Sequence, residues 1–476
     1  MDAAPGFGLL LSQSEYLSTE DDKMHAALVV TATGATAAGP AAEVAQVIAI
    51  DCSGSMSYPQ TKIAAARRAT KAAVDALRDG ALFAVIEGTQ GARQVYPARG
   101  LVRANAQTRR AAKAAVQGLS ASGGTAIGEW LRLARTLLGE YPLAVRHVIL
   151  LTDGQNNQSA GELDRVLASC RSEFSCDARG IGTDWAPQEL LRIAEALHGT
   201  ADAIRKPADL AADFTAMTGA AMEKVVPELR IVVKTMARTT LDFVRQRHPA
   251  EAELHGERVD ERTTWFGTGS WGAESREYHL RLTVDSTGRP ANTNTRIARV
   301  DLEVRAPGAS EFSRACDPAT VLAHWTDDLD LSSRIDPKIA HFTGQTELRE
   351  AVLAGSTAHE RDDLVTAAAE WGTAVRLATE LGNERVLVRL RRLVDIEGDP
   401  ANGVVRVKAH LAVEDLLSMA VGSTLSSMSP ASSAELTETP PRAAAPAGPA
   451  VECPNCKRGW PAGSVFCGGC GTRLGA

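Results

Sequence analysis

The chain has 476 residues, with 51 Lys and Arg against 58 Asp and Glu and a formal net charge of −7. That length holds roughly two to four domains with cores of their own. The acid excess argues against a general nucleic-acid binder, and no apolar run is long enough to span a membrane.

The first residues, MDAAPGFGLLLSQSEY, lack a basic n-region, and their apolar core is too short for a signal peptide, so a cytoplasmic location is expected. Residues 1–43 contain one strand, HAALVVTAT at 25–33, followed by a loop. A lone strand cannot bury its face and must pair elsewhere.

Residues 44–224 alternate strand and helix, the pattern of a mostly parallel sheet with helices on both faces. Val47, Ile48, Ala49 and Ile50 form an apolar run that ends on Asp51, Ser53 and Ser55. Sites of open α/β sheets lie at this C-terminal edge of the strands. A helix follows at 60–78, with Ile63, Ala66, Ala69 and Ala73 on one face and Arg67, Arg68 and Lys71 solvated. A hairpin is expected from 81–87 and 92–96, and helices at 105–117 and 127–139. Gly123-Gly124-Thr125 precedes the second of these helices. VRHVILL is the next strand and ends on Thr152-Asp153-Gly154. His147 within it reads as a hydrogen-bonded core residue and Trp185 as core packing.

Residues 225–320 change to period two: Tyr278, Leu280, Leu282 and Val284 alternate with polar neighbours, as do Val300, Leu302 and Val304. A small antiparallel β-sandwich is expected, joined by the strand at 25–33. Residues 321–421 return to helical spacing, as in Leu364, Ala367, Ala368, Trp371, Val375 and Ala378, and read as a helical bundle. The Ser, Thr, Pro and Ala of 422–451 suit a disordered linker, in which Thr437 and Thr439 are candidate phosphorylation sites.

Residues 452–476 carry Cys453 and Cys456, then Cys467 and Cys470, in C-x2-C-x10-C-x2-C spacing. Two such knuckles bring four thiolates round tetrahedral Zn²⁺, and the segment resembles short bacterial zinc ribbons. Cys52, Cys170, Cys176 and Cys316 are scattered and read as reduced thiols.

D-x-S-x-S alone is a weak signal. Taken together, Asp51, Ser53, Ser55, Thr125 and Asp153 resemble the metal-ion-dependent adhesion site of von Willebrand factor type A (VWA) domains. That resemblance implies a doubly wound, Rossmann-like α/β fold for 44–224. It also implies Mg²⁺ or Mn²⁺ bound directly by the three hydroxyls, with one or both aspartates acting through water. An ion ringed by neutral hydroxyls takes one more anionic oxygen, so the implied partner is a protein offering an Asp or Glu. The function expected is non-enzymatic interaction in a regulatory or signalling scaffold. Bacterial VWA proteins of this make-up resemble members of assemblies that include kinases, phosphatases or phosphothreonine-binding proteins. The alternatives are a metal-dependent hydrolase, for which no general base is evident, and a nucleic-acid adaptor acting through the zinc ribbon.

Overall fold

In a computed structural model of the protein, the described residues are 6–14, 16–18, 20–33, 42–285, 287, 293–437, 451, 452, 454, 457, 459 and 460. The chain divides into two compact units, Met1–Met428 and Ser429–Ala476.

The first unit opens with three strands, β1 (Gly6–Gln13), β2 (Tyr16–Ser18) and β3 (Lys23–Thr33). An α/β layer follows. Its first half is β4 (Val44–Asp51), α1 (Thr61–Ala76), β5 (Leu82–Gly88), β6 (Ala92–Tyr96), β7 (Val102–Arg103), α2 (Ala106–Gln117) and α3 (Ile127–Gly139). Its second half is β8 (Val145–Thr152), α4 (Ala160–Cys170), β9 (Ser175–Ile181), α5 (Pro187–Ala196), β10 (Ala201–Ile204) and α6 (Leu210–Met222). The sheet order is β10-β9-β8-β4-β5-β6, with β7 also on β5. Every pairing from β10 to β5 is parallel, and β6 and β7 run antiparallel to β5.

Strand β4 lies at the centre and is buried along its whole length. Its alternate side chains serve two cores. Ile48 and Ile50 pack in one cluster with Ala66 and Val74 of α1 and Phe214 of α6. Val47 and Ala49 pack in the other with Trp130 and Leu131 of α3, Leu163 of α4 and Leu190 of α5. Each fully buried Val or Ile contributes about 1.5–3 kcal/mol, so a strand covered on both faces is a rigid base for what leaves its end.

Among the described residues, nine strands follow: β11 (Glu228–Thr235), β12 (Thr239–His248), β13 (Ala252–Glu253), β14 (Gly256–Arg258), β15 (Thr263–Gly267), β16 (Glu274–Val284), β17 (Thr295–Arg305), β18 (Ser313–Arg314) and β19 (Ala319–Thr326). They form two sheets with the N-terminal strands. One runs β1-β3-β16-β12-β13; the other runs β14-β15-β11-β17-β19-β2, with β18 on β17. Strand β3 lies between β1 and β16, in register from Glu274 opposite Ala32 to Thr283 opposite Lys23. Met24, Leu28, Leu280 and Leu282 of the first sheet share one hydrophobic cluster with Leu229, Ile231, Val300 and Leu302 of the second. Strands from both sides of the α/β layer in sequence therefore build one core.

The helical part comprises α7 (Leu329–Ser332), α8 (Pro337–Glu360), α9 (Leu364–Glu380), α10 (Glu384–Leu393), the hairpin β20 (Val394–Ile396) and β21 (Val405–Val407), and α11 (Val413–Gly422). Asp336, Asp363 and Asn383 start α8, α9 and α10 by accepting backbone N–H bonds, which satisfies donors that a helix start leaves open. Helices α10 and α11 reach β10 through Arg389–Asp202 at 2.8 Å and Arg205–Asp415 at 2.5 Å. Leu417 and Val421 of α11 pack into the α/β core.

The expected linker at 422–451 needs correction at its start. Thr424 accepts the Glu251 N–H at 2.8 Å, Leu425 accepts a bond from the Asn383 amide at 2.9 Å, and Leu425 joins the helical core. These bonds tie residues 422–428 into the first unit. In the second unit, α12 (Pro430–Thr437) is helical. Pro430 takes the first helical position, where its missing N–H costs nothing. The unit also contains β22 (Val451–Glu452) paired with β23 (Gly459–Trp460). Cys453, Cys456, Cys467, Cys470 and Thr439 lie outside the described residues.

Candidate functional site

The ends of β4 and β8 and the start of α3 meet at one edge of the α/β sheet. Asp51, the last residue of β4, is fully buried. Its Oδ1 accepts the Ser53 N–H at 2.8 Å, and its Oδ2 accepts the Thr152 hydroxyl at 2.7 Å. Burial pushes its carboxyl above the usual range, opposed by the hydrogen bonds from Ser53 and Thr152 and reinforced by the charge of Asp153.

The Ser53 and Ser55 hydroxyls lie 2.9 Å apart, and Ser55 Oγ donates to Asp153 Oδ1 at 2.6 Å. Thr125 reaches the same hollow: a Cβ placed on Gly154 would lie 3.2 Å from Ser55 Oγ and 3.4 Å from Thr125 Oγ1. The structure thus brings together all five residues singled out from the sequence. Asp51, Ser53, Thr125 and Asp153 are buried, and Ser55 is half-buried. Tyr58, three residues beyond Ser55, is 84% exposed.

Backbone hydrogen bonds hold the loops in place. Gly54 N–H donates to Gly123 O at 2.8 Å, and Ser122 N–H to Cys52 O at 2.7 Å. Gly123 has φ +82°, and a Cβ there would strike the Gln90 amide oxygen at 2.1 Å, so this position calls for glycine. Gln90 Oε1 accepts the Gly124 N–H at 2.8 Å, and Asn157 Oδ1 accepts the Thr125 N–H at 2.7 Å. Asn156 and Gln158 accept the N–H groups of Ile127 and Gly128 at the start of α3.

These amide side chains escaped the sequence reading, and so did Lys62. Its ammonium donates to Asp153 Oδ2 at 2.8 Å and lies 3.6 Å from Asp184. Lysine in the first turn of α1 faces the positive end of the helix dipole. That misplacement is the signal that could have singled it out.

Elsewhere the structure assigns internal roles. His147 Nε2 meets Asp177 Oδ2 at 2.9 Å inside the sheet. Burial pushes Asp177 up, but His147 and Arg179 more than offset this and hold it below the carboxylate range. Trp185 is buried and stacks where Gly180 has no Cβ. Cys170 and Cys176 are buried free thiols.

Three hydroxyls and two carboxylates are hard oxygen donors, the class that suits Mg²⁺ or Mn²⁺. Among the described residues, no three of His, Cys, Asp and Glu group together as a metal centre. The hydroxyl-rich cluster belongs to a different donor class. No described helix is long and apolar enough to cross a membrane.

The von Willebrand factor type A domain family matches residues 45–203. A solved structure of a von Willebrand factor type A protein from Catenulispora acidiphila is similar at 41% identity and a TM-score of 0.80, covering 89% of this chain and 97% of that one. The ArnB paralog VWA2 from Sulfolobus acidocaldarius shares the fold at 12% identity and a TM-score of 0.52, covering 89% of this chain and 100% of that one. No curated protein matches the chain significantly.

Proposed function

The chain belongs to the von Willebrand factor type A family, and from that premise we propose that it is a metal-dependent interaction protein. Proteins of this family generally mediate protein–protein interaction. The observation that supports the metal-dependent form is the convergence of Ser53, Ser55 and Thr125 beside two buried carboxylates. In this reading Ser53, Ser55 and Thr125 would hold Mg²⁺ or Mn²⁺ through their hydroxyls, with Asp51 and Asp153 supplying negative charge behind them. The ion supplies positive charge at the loop edge. Neutral hydroxyls leave that charge partly unmet, and a partner Asp or Glu completes it.

The chain's own residues position and charge the site for binding rather than catalysis. The protein serves as a cytoplasmic scaffold in a regulatory assembly. Its cysteine-rich tail holds Zn²⁺ through Cys453, Cys456, Cys467 and Cys470 and gives a second contact.

The test is affinity capture of partners with the full chain in Mg²⁺ and in EDTA. Captured protein should be lost in EDTA and with Ser53→Ala or Thr125→Ala, while both variants keep a cooperative thermal transition in EDTA, where no bound ion adds to the stability of wild type. Equal capture by both variants in EDTA and by wild type in Mg²⁺ reduces the domain to a scaffold without a metal bridge.

A further inference from the structure

Lys62 is out of place by every ordinary rule. Its side chain is only 8% exposed, although lysine is seldom buried. Its Nζ lies 2.8 Å from Asp153 Oδ2, whose carboxylate is fully buried, and 3.6 Å from Asp184 Oδ2, which is 66% exposed. The stem is given space: Gly182 has φ +81°, and a Cβ there would lie 2.9 Å from Lys62 Cε. The two oxygens of Asp153 are thereby divided. Oδ1 faces Ser55 and the hydroxyl cluster, and Oδ2 faces the ammonium.

We propose that Lys62 is a resident cation of this site, opposing the divalent ion and making metal uptake and acidic-partner binding depend on each other. The inference rests on the metal-site reading above. One of the two buried carboxylate charges, those of Asp51 and Asp153, is offset by the ammonium, so these three groups together carry one net negative charge; Asp184, 66% exposed, is screened by solvent and adds little. A divalent ion then leaves one net positive charge, where the same site without lysine would be neutral. Two consequences follow from the Coulomb repulsion between an ammonium and an ion that would face opposite oxygens of Asp153 in a part-buried site. The metal is held more weakly than the oxygen donors alone would hold it. The metal-loaded site also attracts a carboxylate more strongly, and that carboxylate in turn strengthens the metal, since coupling between two ligands is reciprocal. Without metal or partner, Lys62 holds Asp153 and keeps the loops assembled.

The experiment is Mn²⁺ titration of the full chain by calorimetry, with melting measured in EDTA and in saturating Mn²⁺. Lys62→Gln removes the charge and keeps a donor; Lys62→Met removes both; Lys62→Arg keeps the charge. The neutral variants should bind Mn²⁺ at least about tenfold more tightly than wild type, the expected direction when a nearby like charge is removed. They should melt below wild type in EDTA and recover in Mn²⁺. Lys62→Arg should bind like wild type. Acetate, as a probe carboxylate, should tighten Mn²⁺ binding more in wild type than in Lys62→Gln. Should Lys62→Met fail to fold, Lys62→Gln decides. Mn²⁺ uptake by Lys62→Gln that is no tighter than wild type overturns the role of Lys62 and leaves the metal site standing. Absence of Mn²⁺ uptake in both wild type and Lys62→Gln overturns the metal-site reading and this inference with it.

Discussion

Gly88, the last residue of β5, leaves space that Trp130 of α3 fills; a Cβ there would come within 2.2 Å of the indole. Trp130 is fully buried, and its Nε1 donates to Thr89 O at 2.8 Å. Gly88→Ala should therefore destabilise the protein by about 1–3 kcal/mol, the usual cost of forcing extra volume into a packed core. Urea denaturation of the full chain reads this directly. A second residue sets a pH dependence. Burial lowers His279 to about 3, aided by His25, Arg247, Arg245 and Arg281. Its ring lies against Phe243 and Phe342, and its Nε2 meets His25 Nδ1 at 2.9 Å. The unfolded chain takes up this proton near 6.5, whereas the folded chain refuses it until about 3. The unfolded state thus binds more protons inside that window, so stability falls as pH drops through it. In His279→Gln the loss of melting temperature between pH 7 and pH 4.5 should be visibly shallower than in wild type, because one of the groups driving it is gone. An equal slope would place the pH dependence on other groups.

At the scale of elements, the α/β layer was legible because its two periods are clean. Apolar runs such as Val47–Ile50 have no polar side to show, and amphipathic helices such as α1 separate Ala66 and Ala69 from Arg67 and Arg68. Four of the five hydroxyl and carboxyl residues were legible because they fall where β4 and β8 end, and Thr125 because Gly123-Gly124 sets it just before a helix. The partners that hold their loops were not. Gln90, Asn156, Asn157 and Gln158 are amides in loops, where amides are common, and only the folded loops show which N–H each one accepts. Lys62 carried only one weak signal, its place in the first turn of α1. A charge on a helix reads as solvated unless the neighbouring strand end is known to stand against it. Strand β1 was missed because GFGLLLSQ draws its meaning from antiparallel register with β3, a pairing no local pattern reveals. In α12, Pro430 and the following small residues resemble a tether in composition, while their order permits a helix start.

At the scale of the whole molecule, two compact units predict two behaviours. Residues of the first unit, from 1 to 428, interleave strands and helices from distant parts of the sequence and should unfold together. The cysteine-rich tail in the second unit should act alone. Cys467→Ser should abolish zinc uptake, read as metal per chain after dialysis, without moving the main thermal transition. Stoichiometric zinc in that variant would refute a four-thiolate site. One feature of the first unit bears on how copies of the protein meet. Strand β10 ends the order of the central sheet, and α10 and α11 lie against it through Arg389–Asp202, Arg205–Asp415 and the apolar side chains of α11. A bare terminal strand is a template on which a second chain can lay its own. Here the protein's own helices pack beside that strand, and a helix laid along a terminal strand is one way natural sheets blunt self-templated growth. Copies of the protein at high concentration should therefore not polymerise through β10.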